Sequence, residues 1–257
     1  MTELSRTFGR DEVDAAERER RIRRVFASIA RRYDLMNDLM SLGIHRLWKR
    51  TLVRLADARP GQVIVDLAGG TGDVAARLAA PDRTVVVCDP SLPMMQVGLE
   101  RGHRHVGWLA GTGECIPLAD ASVDTLTIAF GIRNVTHLDA ALAEVRRVLR
   151  PGGRFLCLEF STPWAAVRPF YDLFSFAVIP RLGAWIARSP EAYQYLVESI
   201  RRFPDQRAFC ARLERAGFVD VRFRDLSFGI ACVHLGTRPL AASVHEADGP
   251  EAKAKAR

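Results

Sequence analysis

The chain has 257 residues, 48% of them hydrophobic and 26% charged, with a formal net charge of +7. That length and balance predict one globular domain with one large core. No apolar run approaches the roughly 18 residues of a membrane span; the charged amino-terminal stretch lacks the apolar centre of a secretory signal; and Cys88, Cys115, Cys157, Cys210 and Cys232, scattered and without a CxxC pair, argue against a zinc site or disulfide framework and for reduced thiols in the cytoplasm.

Residues 1–20 are polar and predict a flexible segment. The basic residues of the chain are dispersed and many sit beside acids, as from Asp11 to Arg24, and no nucleic-acid-binding signature accompanies the positive charge, which leaves a solvated basic surface or an anionic membrane face as its use. A helical region of about 21–57 follows. Val63 to Leu67 then reads as a buried strand running into Ala68-Gly69-Gly70-Thr71-Gly72, after which Asp73 to Ala80 reads as a helix. A second strand, Val85 to Cys88, stops at Asp89-Pro90. A third precedes Thr112-Gly113-Glu114, and a fourth spans Val123 to Phe130. Leu138, Leu142, Val145 and Leu149 recur at helical spacing until Pro151-Gly152-Gly153, and Arg154 to Phe160 predicts a central strand. Helical residues 165–201 form an insertion before two closing strands, Asp220 to Phe223 and Ile230 to Leu235. Residues 240–257, rich in Ala, Lys and Glu, predict a disordered tail, leaving a single domain over 21–239. Short β-branched runs alternating with helices predict an α/β, doubly wound, mostly parallel seven-stranded sheet of Rossmann-like type with a closing C-terminal antiparallel strand.

A glycine-rich turn between a buried strand and a helix lets backbone approach a ligand, and in such sheets it lies at the carboxyl edge where ligands bind. Gly70, Thr71 and Gly72 supply that turn. Asp89, about 19 residues after Gly70, is placed to accept from ribose hydroxyls. This much fits a nicotinamide enzyme equally well. Asp66, at the strand end beneath the glycines, suits a cationic sulfonium and an α-amino group better than a pyrophosphate. Thr112 and Gly113 follow the third strand, where groups reach an adenine edge. Leu149-Arg150-Pro151-Gly152-Gly153-Arg154 resembles a late motif of Class I methyltransferases.

Three longer segments carry a more specific resemblance. Tyr33-Asp34-Leu35-Met36-Asn37-Asp38-Leu39-Met40-Ser41-Leu42-Gly43-Ile44-His45-Arg46-Leu47-Trp48-Lys49 is one, Phe130-Gly131-Ile132-Arg133-Asn134-Val135 another, and Tyr193 to Gln206 the third. With Asp66 to Asp73 they resemble the ubiquinone/menaquinone biosynthesis C-methyltransferases over roughly residues 22 to 238. The resemblance implies S-adenosyl-L-methionine as cofactor, with Thr71 and Asp89 binding it and positions 112 and 113 at its adenine. Two departures stand out: Thr112-Gly113 where the family usually has Asn-Ala, and Ala129 where it usually has Ser.

The implied acceptor is a prenylated quinol, a benzoquinol, a demethylmenaquinol or both, methylated on a ring carbon. Ionising a phenol of ordinary pKa about 10 at pH 7 costs roughly 4 kcal/mol, which the enzyme must offset. Arg133 is expected to stabilise the phenolate, with a water as proton relay because guanidinium rarely deprotonates, and Asn134 to orient the quinol oxygen. Tyr33, Asn37 and His45 are expected in a lid over the ring. For Arg133 the alternative is a structural salt bridge, and for His45 a packing or capping role. The aromatic run from Phe170 to Ile186 is read either as helix packing or as a prenyl route touching the inner face of the membrane. A homodimer or a quinone-biosynthesis complex is compatible with all of this. Competing readings are a methyltransferase for another small aromatic acceptor, a nicotinamide-dependent oxidoreductase and a scaffold subunit that retains the fold without turnover.

Overall fold

The computed structural model describes residues 7–8, 11–173, 195 and 198–240. A seven-stranded sheet runs in the order β5-β4-β3-β6-β7-β9-β8. Its strands are β3 (Val63–Leu67), β4 (Thr84–Asp89), β5 (Val106–Ala110), β6 (Val123–Ala129), β7 (Leu149–Phe160), β8 (Val219–Leu226) and β9 (Ala231–Thr237). The first five are parallel, and β9 pairs antiparallel with both β7 and β8. Strand order reverses between β3 and β6, which opens a crevice at their carboxyl ends. The doubly wound expectation is met, including the closing antiparallel strand.

Strand alternation sorts the core. Val65 and Leu67 pack with α6 (Leu138–Val148), whose Leu138, Ala141, Leu142, Val145 and Val148 are buried, and with α8 (Gln206–Arg215) through Phe209 and Leu213. Ile64, on the other face, packs with Trp48, Leu52 and Ala56 of α3 (His45–Ala56) and with Val74, Ala75 and Leu78 of α4 (Asp73–Leu78). Asp66 shares the parity of Ile64, so its carboxyl lies under α3 and α4. The helix α5 (Leu92–Glu100) links β4 to β5, and a short α7 (Arg168–Leu173) follows β7.

The amino-terminal region is more ordered than its composition predicts. Thr7–Phe8 (β1) pairs with Asp11–Glu12 (β2), and α1 spans Ala15–Ile29, starting where Asp14 Oδ1 accepts from Glu17 N at 2.7 Å. Phe8, Ile22, Val25, Ile29 and Tyr195 form a small core of their own. Arg18 is fully buried because its guanidinium finds backbone carbonyls, a pairing that charge patterning does not reveal. Tyr33–Ser41 (α2) completes the front helices. Three other boundaries shift. The helix after the glycine loop ends at Leu78, ahead of Pro81, rather than at Ala80. The helix α6 ends at Val148, before the Pro-Gly-Gly segment. That segment lies inside β7 as a register shift rather than before it. Residues 174–194 of the aromatic insertion and those after 240 lie outside the described residues.

Candidate active site

A cavity of about 460 Å³ opens at the strand-order reversal. Its walls come from α1, the start of α2, Lys49 of α3, the loops after β3, β4 and β5, and the loop after β6. The ends of β3 and β6 are held in an unusual backbone: Ala68 and Phe130 both have left-handed φ values, +50° and +58°. Gly131 permits this, since a Cβ there would fall 2.6 Å from that of Ala68. Strain of this kind persists where packing over-determines it, and it concentrates at ligand sites.

The glycine loop is a backbone cradle. A Cβ at Gly69 would lie 2.7 Å from Asp66 Oδ2, and one at Gly70 would lie 3.0 Å from Met94 Cε. Asp66 is buried; its Oδ1 accepts from Thr127 Oγ1 at 2.9 Å, while Oδ2 has no partner. Burial pushes its carboxyl up to about 7, against the hydrogen bond from Thr127 and the charge of Lys49. Asp89 accepts from Gly70 N at 2.9 Å and from Ser91 N at 2.7 Å, so it ties the ends of β3 and β4 together. Burial raises its pKa too, opposed by those two backbone donors. Thr71 Oγ1 accepts from Arg101 Nη1 at 3.1 Å, which leaves the hydroxyl proton available to a ligand. Arg101 also meets Asp34 of α2 at 2.5 Å, linking the front helices to the loop.

The cavity wall brings together Tyr33, Asp66, Gly70, Thr71, Asp89, Thr112, Gly113 and Asn134 among the expected residues, and Ala129 also lies on it. Gly72 sits behind, where a Cβ would fall 2.8 Å from Trp108 Cη2. Arg133 and His45 are not brought to the wall. The Arg133 side chain is buried; Nη1 donates to Phe130 O at 2.7 Å and to Glu159 Oε1 at 2.6 Å, and the guanidinium lies over Phe160. Burial raises the Glu159 carboxyl, and Arg133 opposes this. The ion pair that the sequence left as an alternative for Arg133 is therefore present. His45 Nδ1 lies 2.8 Å from Ser41 Oγ at the α2–α3 corner, and its pKa is lowered, first by burial and then by Lys49. Asn37 Nδ2 is buried without a partner.

Three residues on or behind the wall escaped sequence reasoning. Lys49 lies one turn beyond His45 on the same face of α3, a spacing legible in the sequence. Arg18 donates to the carbonyls of Arg133, Asn134 and Val135, at 3.1–3.3 Å, and so fixes the loop after β6. Tyr195, in the third signature segment, donates to Asn134 Oδ1 at 2.8 Å and stacks on Phe8.

A glycine cradle, two buried acids without an ion pair among the described residues, and a switch-point crevice in this sheet order define a Rossmann-like protein of the Class I methyltransferase type. The comparisons carry this further. A family profile described as the ubiE/COQ5 methyltransferase family matches residues 14–238. The chain belongs to that family. A protein of Rubrivivax gelatinosus (strain NBRC 100245 / IL144), named ubiquinone/menaquinone biosynthesis C-methyltransferase UbiE, is 71% identical over 242 residues, covering 94% of this chain and 96% of that protein. A protein of the same name from Caulobacter vibrioides (strain NA1000 / CB15N) is 48% identical, covering 92% and 99%. Among solved structures, a SAM-dependent methyltransferase from Thermotoga maritima superposes with a TM-score of 0.60 at 20% identity, over 84% of this chain and 99% of that one, which shows the shared fold.

Proposed function

We propose that this chain is an S-adenosylmethionine-dependent C-methyltransferase acting on a ring carbon of a prenylated quinol. The observation that carries the reading is the 71% identity to a protein of that name over nearly the whole of both chains. The cavity chemistry agrees with it: the unpartnered Asp66 oxygen, the glycine cradle and Asp89 fit a nucleoside with a cationic amino-acid end. In this reading Asp66, Gly70, Thr71, Asp89, Thr112 and Gly113 bind the cofactor, and Gly72 supports the loop from behind.

Bound S-adenosylmethionine supplies an electrophilic methyl group. Asn134 holds the quinol oxygen. Tyr195 fixes the amide by donating to its Oδ1, and Nδ2 gives one hydrogen to Phe130 O at 3.4 Å, which leaves the second Nδ2 hydrogen to donate; a donor favours the phenolate form that loads electron density onto the neighbouring ring carbon. That carbon gains the methyl group and loses its hydrogen as a proton, which leaves through water. Tyr33 packs over the ring from α2. Arg133 acts at one remove: paired with Glu159, it fixes Phe130 O and hence the Asn134 loop. His45 holds the α2–α3 corner. A long prenyl tail implies contact with a bilayer surface; among the described residues no helix is long and apolar enough to cross one.

Mass spectrometry of quinones from cells lacking this chain tests the function, with accumulation of a demethyl precursor expected and an unchanged quinone pool against it. Thermal stabilisation by S-adenosylhomocysteine but not by NAD separates the reading from a nicotinamide enzyme.

A further inference from the structure

The front helices and the glycine loop share a side chain at the end of α5. Arg101 caps that helix, and its Nη1 donates to Thr71 Oγ1 at 3.1 Å while lying 2.5 Å from Asp34 Oδ2 of α2. Thr71 lines the cavity from the loop after β3, and Tyr33, the neighbour of Asp34, lines it from α2. Two further contacts brace the same junction. His103 Nε2 donates to Thr71 O at 3.1 Å, and Glu100 lies 3.4 Å from Arg31, just ahead of α2. The Arg101 and Asp34 side chains are 33% and 30% exposed, so as a stabilising ion pair they contribute little. Their position gives the contact its use, because it joins two walls that a ligand touches separately.

A hydroxyl that accepts from a guanidinium turns its own hydrogen elsewhere, and a ligand oxygen that takes this hydrogen makes the hydroxyl a better acceptor in turn. Cofactor on the glycine loop therefore strengthens the bond from Arg101 to Thr71 and holds the guanidinium where Asp34 meets it. We propose that Arg101 is a positioning residue that couples the cofactor site to the front helices: through Thr71 it senses an occupied loop, and through Asp34 it then holds α2, with Tyr33, more firmly over the acceptor side of the cavity. Coupling of this kind is reciprocal, so an acceptor held under α2 tightens the cofactor by the same factor. The upper end for a partly exposed ion pair and the lower end of coupling between sites agree on about fivefold. This role rests on the cofactor reading above.

Amide hydrogen exchange on the full chain tests it, with and without S-adenosylhomocysteine at a concentration that saturates each variant by calorimetry. In the unmodified protein the ligand should slow exchange across residues 33–41 of α2 about fivefold. Asp34→Asn removes one part-exposed charge and should abolish that slowing, while the ligand still slows exchange in the glycine loop itself. Arg101→Met should do the same, and the double variant should lose no more than either single one, because both act through one contact. If Arg101→Met does not fold, Asp34→Asn carries the test alone. A merely structural ion pair would raise α2 exchange equally with and without ligand. That result, full slowing retained in Asp34→Asn, or no slowing of α2 in an unmodified chain that binds the ligand would overturn the role of Arg101 and leave the cofactor reading in place. Failure of the unmodified chain to bind S-adenosylhomocysteine would overturn both.

Discussion

Replacing Asp66 with Asn changes one buried charge and little else, since Asn Oδ1 still accepts from Thr127 and the new amide takes the place of the unpartnered oxygen. Burial moves this carboxyl from 3.8 to about 7, so the unliganded fold binds a proton that the unfolded chain has released. For a folded-state pKa raised in this way, the contribution to stability is complete below pH 4 and is lost as the pH climbs through 7. Integrated between pH 5 and 8, the loss is about 3 kcal/mol. Urea denaturation of the unliganded chain and of Asp66→Asn across that range should therefore diverge, the variant gaining on its parent as pH rises. Other groups titrate alike in both proteins and cancel in the difference. A ligand ammonium beside Asp66 favours the ionised form, so S-adenosylhomocysteine binding at pH 6 should expel up to about one proton. Calorimetry in two buffers of different ionisation enthalpy reads that proton. Stability curves that stay parallel, with no proton released, would refute the buried-acid argument.

Gly69→Ala sets a methyl group 2.7 Å from Asp66 Oδ2; stability should fall by about 1–3 kcal/mol, and S-adenosylhomocysteine binding should drop more than tenfold by calorimetry. Arg133→Met strands Glu159 in the core and should cost about 3–5 kcal/mol in urea, whereas Arg133→Met with Glu159→Leu should recover most of it. Arg18→Met removes the clamp on the carbonyls of residues 133–135; a loss of about 3 kcal/mol and faster amide exchange in that loop are expected.

The sheet was legible because parallel strands buried on both faces read as short β-branched runs, and turn residues mark their ends. The glycine loop at the crevice was legible for a related reason: Gly69, Gly70 and Asp89 stand at a tight turn and at a strand end, and both features follow from local sequence. What escaped depends on pairings between distant segments. Arg133 is read from its neighbours as a residue at the carboxyl edge, but Glu159 on β7 draws it behind the wall. Arg18 carries a charge in a charged helix, and nothing local says that its partners are carbonyls more than a hundred positions away. The first helix begins at Ala15, ahead of the boundary near residue 21 that polar composition predicts, because Asp14 caps it through Glu17 N.

The charges of the site divide into two kinds, and the division argues for what binds there. Arg133 and Glu159 neutralise each other, although Arg133 Nε and Glu159 Oε2 are buried without a partner, and Arg18 is satisfied by carbonyls; these hold the loop after β6. Asp66 and Asp89 have only hydrogen-bond donors, no cation within ion-pair reach among the described residues, and burial works against their ionised forms. A fold that keeps two such acids at a crevice is less stable empty than it is with a cation bound. Ligand stabilisation should accordingly exceed simple mass action in its pH dependence: the rise in melting temperature given by a fixed concentration of S-adenosylhomocysteine should be larger at pH 7.5 than at pH 5.5, because at the lower pH the ligand must first displace the proton on Asp66. In Asp66→Asn the rise should be smaller and nearly the same at both pH values, and a variant that kept the full pH dependence would move its origin to Asp89.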